Sequence, residues 1–261
     1  MSTIVVTGAG GRIGRAVSPL LERPDRELRL LEAPGAGGDV EGVIEGDILD
    51  RDFLARAFEG ADTVVHFAGF PSEREWDELN DTNITGTRLV LEAARDAGVR
   101  RVLLASSIHA VGLATAAEAR ATDLLAPRPD TYYGVTKAAM ELLGAVVSHR
   151  TGMSIVSVRI CAFNTEPSPD FLPIWFSPGD MARLIEAVAQ LDDGQHHIVW
   201  GVSANESAWF PLGPGKAIGF EPLDDAYAWA RERGIEPGDI APMGEPLGGQ
   251  FTTWQLGVPR D

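Results

Sequence analysis

A β-branched run followed at once by three evenly spaced glycines constrains this chain more than any other feature of its sequence. The run Thr3–Thr7 predicts a buried strand, and Gly8, Gly11 and Gly14 then precede a helical pattern that ends at Leu21. Glycines between a strand and a helix let the backbone approach a ligand closely, with the helix N-terminus directed at it. The segment therefore predicts the first βα unit of a parallel sheet, with a pyrophosphate-binding turn. A turn without a ligand is the alternative interpretation of the motif alone.

The next 150 residues alternate short β-branched runs with longer helical patterns. Strands are predicted at Thr3–Thr7, Glu27–Leu31, Gly42–Glu45, Thr63–Phe67, Arg101–Ala105 and Ser154–Arg159. Helices are predicted at Gly11–Leu21, Asp50–Phe58, Trp76–Ala97, Thr131–Thr151 and Pro178–Leu191. This alternation with short connections is typical of an α/β fold with a doubly wound parallel sheet, the Rossmann architecture.

Beyond about residue 160 the alternation weakens, and prolines and aromatic residues become frequent. We expect residues 1–160 to form a dinucleotide-binding core. Residues 161–261 are expected to form a small, irregular region that carries the substrate pocket and packs on the core as part of a single structural unit. The aromatic residues of this region form either a pocket wall or a peripheral core: Phe163, Phe171, Trp175, Phe176, Trp209 and Phe210.

Composition and charge exclude several classes of function. The chain has 38 acidic and 22 basic residues, and its net charge of −16 repels polyanions, so no nucleic-acid partner is expected. It has no apolar run long enough to span a membrane and no leader pattern at Met1, so we expect no membrane partner and a cytoplasmic location. One cysteine, Cys161, forms neither an internal disulfide nor a metal site by itself, so no metal is expected.

Two acidic residues follow the second and third predicted strands. Glu32 lies roughly twenty residues after the glycine turn, where a carboxylate accepts hydrogen bonds from the adenosine ribose. Its charge would repel the additional phosphate of NADP, so NAD is the predicted cofactor. Asp47 can accept the adenine amino group, and the alternative role of helix N-cap suits Asp50 better.

Tyr133 and Lys137 open a predicted helix with the i, i+4 spacing that places both side chains on one face. A nearby ammonium lowers the pKa of a phenol from about 10, which would make Tyr133 a usable base. Such a spacing also occurs by chance, but this chain has only two lysines, Lys137 and Lys216. Tyr132 lacks the register with Lys137 and is expected to pack.

The fifth predicted strand is followed by the segment Ser106-Ser107-Ile108-His109, at the edge where open α/β sheets bind ligands. Ser107 is the predicted partner of a substrate oxygen, and Ser106 is the second candidate. Either serine could instead bond to the loop backbone. His109 either contacts the substrate or caps the loop.

Together these motifs resemble the extended short-chain dehydrogenase/reductase family, which is the NAD-dependent epimerase/dehydratase family. The resemblance rests on Gly8-x-x-Gly11-x-x-Gly14, Asp47, Phe67-Ala68-Gly69, Asn83, Ser107 and Tyr133-x-x-x-Lys137. Within the family the chain is most similar to the uronate dehydrogenases, on the segments Arg128–Lys137, Val158–Ile160, Trp175–Ser177, Val199–Asn205 and Gly248–Phe251.

The resemblance implies NAD-dependent oxidation of a sugar acid at its anomeric carbon to an aldarolactone, and a homo-oligomer, a dimer or larger. Tyr133 would be the base, Lys137 would hold the nicotinamide ribose, and Ser107 would orient the reacting oxygen. The implied cofactor contacts are Gly8, Gly11, Arg12, Ile13, Gly14, Glu32, Asp47, Ile48, Phe67, Ala68, Gly69, Asn83, Tyr133, Lys137 and Ile160. The implied substrate contacts are Ser72, Arg74, Ser107, His109 and Phe251.

Two departures from the family pattern bear on the substrate. Ile108 stands where an asparagine usually follows the serine, and no arginine precedes Trp175, where the family pairs one with the uronate carboxylate. Arg74 could supply that charge, or be a solvated residue at a helix start. A neutral aldose is therefore a second candidate substrate. A nucleotide-sugar epimerase or dehydratase, and a dinucleotide sensor without activity, are the competing functions.

Overall fold

The computed structural model describes residues 2–38, 40–238 and 245–260. Its strands are β1 (Ser2–Thr7), β2 (Arg26–Glu32), β3 (Val43–Glu45), β4 (Thr63–His66), β5 (Arg101–Ser107), β6 (Ser154–Ile160), β7 (Ala162–Phe163), β8 (Trp175–Phe176) and β9 (His196–Gly201). Its α-helices are α1 (Arg12–Leu21), α2 (Arg51–Ala57), α3 (Trp76–Leu79), α4 (Thr87–Asp96), α5 (Ala116–Arg120), α6 (Tyr132–Thr151), α7 (Pro178–Gln190), α8 (Gly213–Ala217) and α9 (Ala226–Glu232).

Seven parallel strands form one sheet in the order β3-β2-β1-β4-β5-β6-β9. The strand order reverses direction between β1 and β4, so the crevice at their carboxyl ends is the switch point where such sheets bind ligands. This arrangement confirms the predicted doubly wound α/β fold. Strands β7 and β8 pair separately.

The two faces of the sheet are covered by different helices. The adjacent residues Val5 and Val6 are both fully buried, but they lie in separate apolar clusters because successive strand side chains point to opposite faces. Helices α1 and α7 cover the face of Val6, and α2, α4 and α6 cover the face of Val5. With both faces covered, the carboxyl-end edge is left for the functional site.

Strand β9 was not predicted from the sequence. It pairs in parallel with β6, from Ile155 opposite His196 to Ile160 opposite Gly201, and extends the sheet beyond the sixth predicted strand. Two consecutive histidines and the final glycine weaken the β-branched signal of this segment. Hydrogen bonds to β6 stabilise the strand conformation, which the local sequence favours only weakly.

The prediction of one continuous helix over Trp76–Ala97 is wrong in its middle. Between α3 and α4 the backbone forms a π-helical segment, Asn80–Gly86. Gly86 packs so closely on Ile48 that a Cβ atom would lie 2.6 Å from Cδ1 of Ile48. Such π-helical turns are frequent at functional sites, and this one carries Asn83, a predicted site residue.

Most of the aromatic residues after position 160 are packing residues, so the pocket-wall interpretation is wrong for them. Phe163 and Phe176 belong to the core under the sheet, with ring centroids 6.3 Å apart. Trp200 stacks on Phe210 at 4.1 Å in a smaller cluster beside the end of β5. Only Phe171 among the predicted aromatic residues is largely exposed, at 50%.

Candidate active site

In the glycine turn after β1, the surrounding backbone leaves no space for a side chain at the first and third glycines. Gly8 has a φ of +72°, and a Cβ atom there would lie 2.5 Å from the backbone nitrogen of Ala68. A Cβ atom at Gly14 would lie 2.6 Å from the carbonyl oxygen of Ala9. Gly11 is the N-cap of α1, and because it has no side chain, it accepts no hydrogen bond from the backbone N–H groups of the first turn through a side chain. The backbone donors of this turn are therefore positioned for a phosphate.

A cavity of about 390 Å³ opens beside this turn, at the carboxyl ends of β1, β2 and β4. Eight predicted cofactor residues line it: Gly8, Gly11, Glu32, Asp47, Ile48, Phe67, Ala68 and Gly69. Phe70 and Thr82, which the sequence analysis did not single out, complete the wall with other residues. The glycine cradle and this cavity fit the phosphates and adenosine of a dinucleotide. Ile160, another predicted cofactor residue, lies apart at the end of β6, paired with Ser107 of β5.

Glu32 lies at the edge of the cavity with its carboxylate fixed by backbone donors. One oxygen accepts a hydrogen bond from Gly10 at 2.7 Å and the other from Ala33 at 2.9 Å. Asp47 also faces the cavity and accepts a bond from the backbone of Leu49 at 2.9 Å. Asp50 caps α2, as predicted. Both acidic residues therefore lie where a ribose and an adenine could be bound.

Asn83 is fully buried and holds the loop after β4. Its Oδ1 accepts from the backbone of Phe70 at 2.8 Å, and its Nδ2 donates to the carbonyl of Phe70 and to the hydroxyl of Thr136. The backbone of Gly69 passes against this amide, with room for no Cβ atom. Asn83 thus positions the turn Phe67–Gly69 on one wall of the cavity.

His66, which the sequence analysis missed, fixes the other end of this turn. Thr87 Oγ1 donates to the carbonyl of Asn83 at 2.6 Å, so it accepts from Nε2 of His66 at 3.1 Å. Nδ1 of His66 then accepts from the hydroxyl of Thr7 at 2.8 Å, and that hydroxyl accepts from the backbone of Ala68. Complete burial lowers the pKa of His66 to about 3, so the ring is neutral. No motif marks such a residue, because its role depends on three separate elements.

The predicted catalytic residues meet at the carboxyl end of β5. The side chains of Tyr133 and Ser107 lie close together, and the Ser107 hydroxyl acts to lower the pKa of the phenol. The ammonium of Lys137 lies 5.6 Å from the centroid of the Tyr133 ring and donates to the carbonyl of Ala105 at 2.8 Å. All three side chains are buried. Arg12 is exposed at the start of α1, and its positive charge acts to lower the pKa of Tyr133.

The expectation that Lys137 lowers the pKa of the phenol is wrong for this structure. The pKa of Tyr133 is raised to about 12, mainly by burial and also by the charge of Asp130, while the Ser107 hydroxyl and the charge of Arg12 act in the opposite direction. Burial also lowers the pKa of Lys137 to about 8. Desolvation is therefore the largest cause of both shifts.

His109 lies beside the tyrosine and is oriented by Asp130, a residue that the sequence analysis missed. Nδ1 of His109 is 2.7 Å from a carboxylate oxygen of Asp130, whose side chain is fully buried. The His109 ring stacks on Phe251 at 3.7 Å and meets the Tyr133 ring edge-on at 5.8 Å. With Nδ1 engaged by Asp130, Nε2 of His109 is left to bind a ligand. Gly112 and Gly248 pack around the carboxylate, where a Cβ atom at either would overlap it.

The loop before α3 carries the remaining predicted substrate residues. Ser72 is partly buried, and Arg74 lies over the ring of Phe70 with its guanidinium carbon 4.6 Å from the centroid. Nε of Arg74 is buried, and no described residue accepts a hydrogen bond from it. Within residues 2–38, 40–238 and 245–260, no carboxylate forms an ion pair with Arg74.

None of the helices in the described part of the chain combines the length and the apolar character needed to cross a membrane. The histidine, cysteine, aspartate and glutamate side chains of this part form no group of three or more that could hold a metal ion.

The sequence profile of the NAD dependent epimerase/dehydratase family matches residues 4–210, which include the glycine turn and the Tyr133–Lys137 pair. The chain belongs to this family. The match confirms the resemblance and agrees with the Rossmann architecture.

Among its relatives in the family, the uronate dehydrogenase of Pseudomonas syringae pv. tomato is 34% identical over 239 residues, which cover 90% of this chain and 86% of the relative. The NAD-dependent glucose-6-phosphate dehydrogenase of Haloferax volcanii is 31% identical, over 88% of this chain and 96% of the relative. The solved structure of a mutant uronate dehydrogenase from Agrobacterium tumefaciens, complexed with NAD, superposes with a TM-score of 0.80, at 29% identity and 98% coverage of both chains.

Proposed function

We propose that the protein oxidises a free hexuronate at its anomeric carbon with NAD and releases an aldarolactone. The observation that carries the proposal is the grouping of three buried side chains, Ser107, Tyr133 and Lys137, next to a cavity that fits a dinucleotide. Relatives named as sugar dehydrogenases, aligned over most of their own length, support the class of reaction.

NAD, when bound, supplies the acceptor for the hydride that leaves the sugar. The glycine turn Gly8–Gly14 would hold its pyrophosphate, and Glu32 and Asp47 its adenosine. Gly69 lies above Lys137, since a Cβ atom there would be 3.9 Å from the lysine nitrogen. This places the ammonium under the turn where the nicotinamide ribose would be held.

Tyr133 would remove the proton from the anomeric hydroxyl while the C1–H bond breaks and C1 becomes a lactone carbonyl. The Ser107 hydroxyl would hold the reacting oxygen against the phenol. A pKa of about 12, which already includes the lowering effects of Arg12 and Ser107, is unfavourable for this base.

The sugar would lie between the tyrosine and the His109–Phe251 stack. Nε2 of His109 would bind a sugar hydroxyl, and Phe251 would close the pocket over the ring. Arg74, whose buried Nε has no partner among the described residues, would pair with the uronate carboxylate in place of the missing family arginine. A neutral aldose is the second candidate substrate, because that arginine is absent.

A panel of free sugars tests the proposal. We expect NADH to form from NAD with glucuronate or galacturonate, and not with their methyl glycosides, in which the anomeric hydroxyl is blocked. NADH formation from neutral aldoses only would show that the protein is a neutral aldose dehydrogenase, the second candidate. Conversion of nucleotide sugars without net NADH would indicate an epimerase or dehydratase, and NAD binding without any turnover would indicate a sensor.

We further propose a homo-oligomer that forms through α6. Val135, Leu142 and Val146 lie along one side of this helix and are 37%, 65% and 54% exposed. Light scattering should give at least a dimer, and Leu142→Glu should yield a monomer.

We also propose that the protein acts in the cytoplasm and that residues 1–160 bind the cofactor, while residues 161–261 complete the substrate pocket.

A further inference from the structure

One buried carboxylate connects the catalytic helix with the carboxyl-terminal segment of the chain. Glu73, in the loop before α3, has no exposed surface. One of its oxygens accepts from the backbone nitrogen of Tyr133 at 2.8 Å, and the other accepts from that of Gly257 at 2.7 Å. Its own carbonyl accepts from the backbone of Arg260 at 3.0 Å. Glu73 therefore contacts the predicted base and the end of the chain at once.

The first turn of α6 requires such an acceptor. The backbone donors at a helix start have no partner within the helix, and here Thr131 caps only that of Gly134, at 3.0 Å. The backbone donor of Tyr133 is bonded to Glu73 instead. A carboxylate suits this place because it accepts two bonds and its charge is favourable at a helix N-terminus.

The segment that Glu73 holds, residues 245–260, passes over the active site, and we call it the C-terminal strap. Its beginning is held by backbone bonds from Leu247 to Ala114 at 2.7 Å and from Gly248 to Gly112 at 2.9 Å. In its middle, Phe251 stacks on His109, and Trp254 stacks on Phe251 at 3.7 Å. Its end is held by Glu73.

We propose that Glu73 is a positioning residue that fixes both the backbone of Tyr133 and the height of Phe251 over the sugar pocket. The proposal rests on the proposed function of this site. Glu73 touches neither sugar nor reacting atoms in this proposal. It acts through the first turn of α6 and through the C-terminal strap.

The first test compares Glu73→Gln with Glu75→Gln. Glutamine keeps the size of the side chain but turns one acceptor into a donor that faces a backbone N–H group. Glu75 lies two residues away, at the N-cap of α3, but it is exposed and its side chain makes no cap hydrogen bond, so its substitution is a matched control. In Glu73→Gln we expect the sugar KM to rise about tenfold and kcat to fall by a similar factor, as for loss of a hydrogen bond to a charged group. The dissociation constant of NAD should stay within about twofold, because the hydrogen bonds of Glu73 go to Tyr133, Gly257 and Arg260 and not to the residues lining the dinucleotide cavity. Wild-type KM and kcat in Glu73→Gln would overturn the proposal.

The second test does not depend on activity. Hydrogen–deuterium exchange should become faster at Gly257 in Glu73→Gln, because this amide donates to the Glu73 carboxylate, whereas the amide of Arg260 donates to the backbone carbonyl of Glu73, which the substitution keeps. The amides of Leu247 and Gly248 should keep wild-type exchange, since they are bonded to other residues. Unchanged exchange at Gly257 would contradict the proposal. Absence of sugar oxidation in the wild-type protein would contradict only the proposed function.

The third test removes the strap's end and leaves Glu73 intact, which matters if Glu73→Gln does not fold. A chain that stops after Trp254 lacks Gly257 but keeps the bond from Glu73 to Tyr133. We expect its sugar KM to rise about as much as in Glu73→Gln, with kcat closer to wild type. Adding Glu73→Gln to this shortened chain should lower kcat without a further rise in KM. A wild-type KM in the shortened chain would overturn the role of the strap.

Discussion

Ser106 and Ser107 are consecutive residues at the end of β5, but their hydroxyls serve different networks. Ser106 donates to a carboxylate oxygen of Glu141 at 2.6 Å, and Glu141 forms a buried ion pair with Arg159 at 2.8 Å. The Ser107 hydroxyl interacts with the phenol of Tyr133 instead and accepts a hydrogen bond from the backbone of His109 at 3.2 Å. Alternation along the strand separates the two, so only Ser107 reaches the crevice.

Alanine substitutions should therefore separate activity from stability at these two positions. We expect Ser107→Ala to lower kcat by about 10²-fold or more with little change in the melting temperature. Ser106→Ala should lower the free energy of unfolding by about 1–3 kcal/mol, because it removes a hydrogen bond from a buried carboxylate, while retaining most of the turnover. Steady-state kinetics and thermal unfolding of the pair measure both effects. The opposite pattern would make Ser106 the catalytic serine.

Tyr133→Phe should lose turnover and keep the cofactor. Removing the phenolic oxygen removes the proposed base, and general-base catalysis contributes about 10²–10⁴-fold to rates. NAD titrations by fluorescence should give wild-type affinity. Tyr132→Phe is the control, because Tyr132 packs against Trp76 with ring centroids 5.5 Å apart, as expected for a packing residue. Equal loss of activity in both variants would assign the effect to packing rather than proton transfer.

Arg74→Met should change which sugars are oxidised. If the guanidinium pairs with the uronate carboxylate, its removal should reduce kcat/KM for glucuronate by about tenfold to a hundredfold, as for a hydrogen bond to a charged group. Kcat/KM for glucose or arabinose, which carry no carboxylate, should change by less than about twofold. Arg74→Lys, which keeps the charge, should recover part of the preference. An equal reduction for charged and neutral sugars would indicate that Arg74 only supports the loop.

His66 should make stability fall as the solution becomes acidic. Burial lowers its pKa from 6.5 to about 3 in the folded protein. Between these values the unfolded chain binds a proton that the folded chain does not bind, so the free energy of unfolding decreases as pH falls through this range. The contribution reaches about 1.4 kcal/mol per pH unit.

Denaturant unfolding of the wild type and of His66→Gln at several pH values between 6.5 and 4.5 measures this contribution. The variant should be less stable at pH 7 and should lose that part of the slope. His149→Gln is the control, because His149 is exposed in the last turn of α6. Identical slopes for the wild type and His66→Gln would show that His66 is not the group responsible.

Local sequence was sufficient wherever the structure depends on neighbouring residues along the chain. The glycine turn, the i, i+4 pair Tyr133 and Lys137, and the cap at Asp50 follow from backbone geometry and helix periodicity, and the structure has each where it was predicted. The family and the parallel sheet follow from the same short-range signals. The strand β9 has weak signals of its own, and pairing with β6 decides its conformation.

Only the tertiary structure determined which residues distant in sequence meet at the site, and in which direction burial shifts their pKa values. Asp130 contacts His109, and Glu73 contacts Gly257. These residues are far apart in the sequence, and no motif spacing predicts that they meet. The sequence suggested an acidified phenol, but burial raises the pKa of Tyr133 instead. Desolvation depends on all the atoms that surround a group, whereas a motif reports only the few that are its neighbours along the chain.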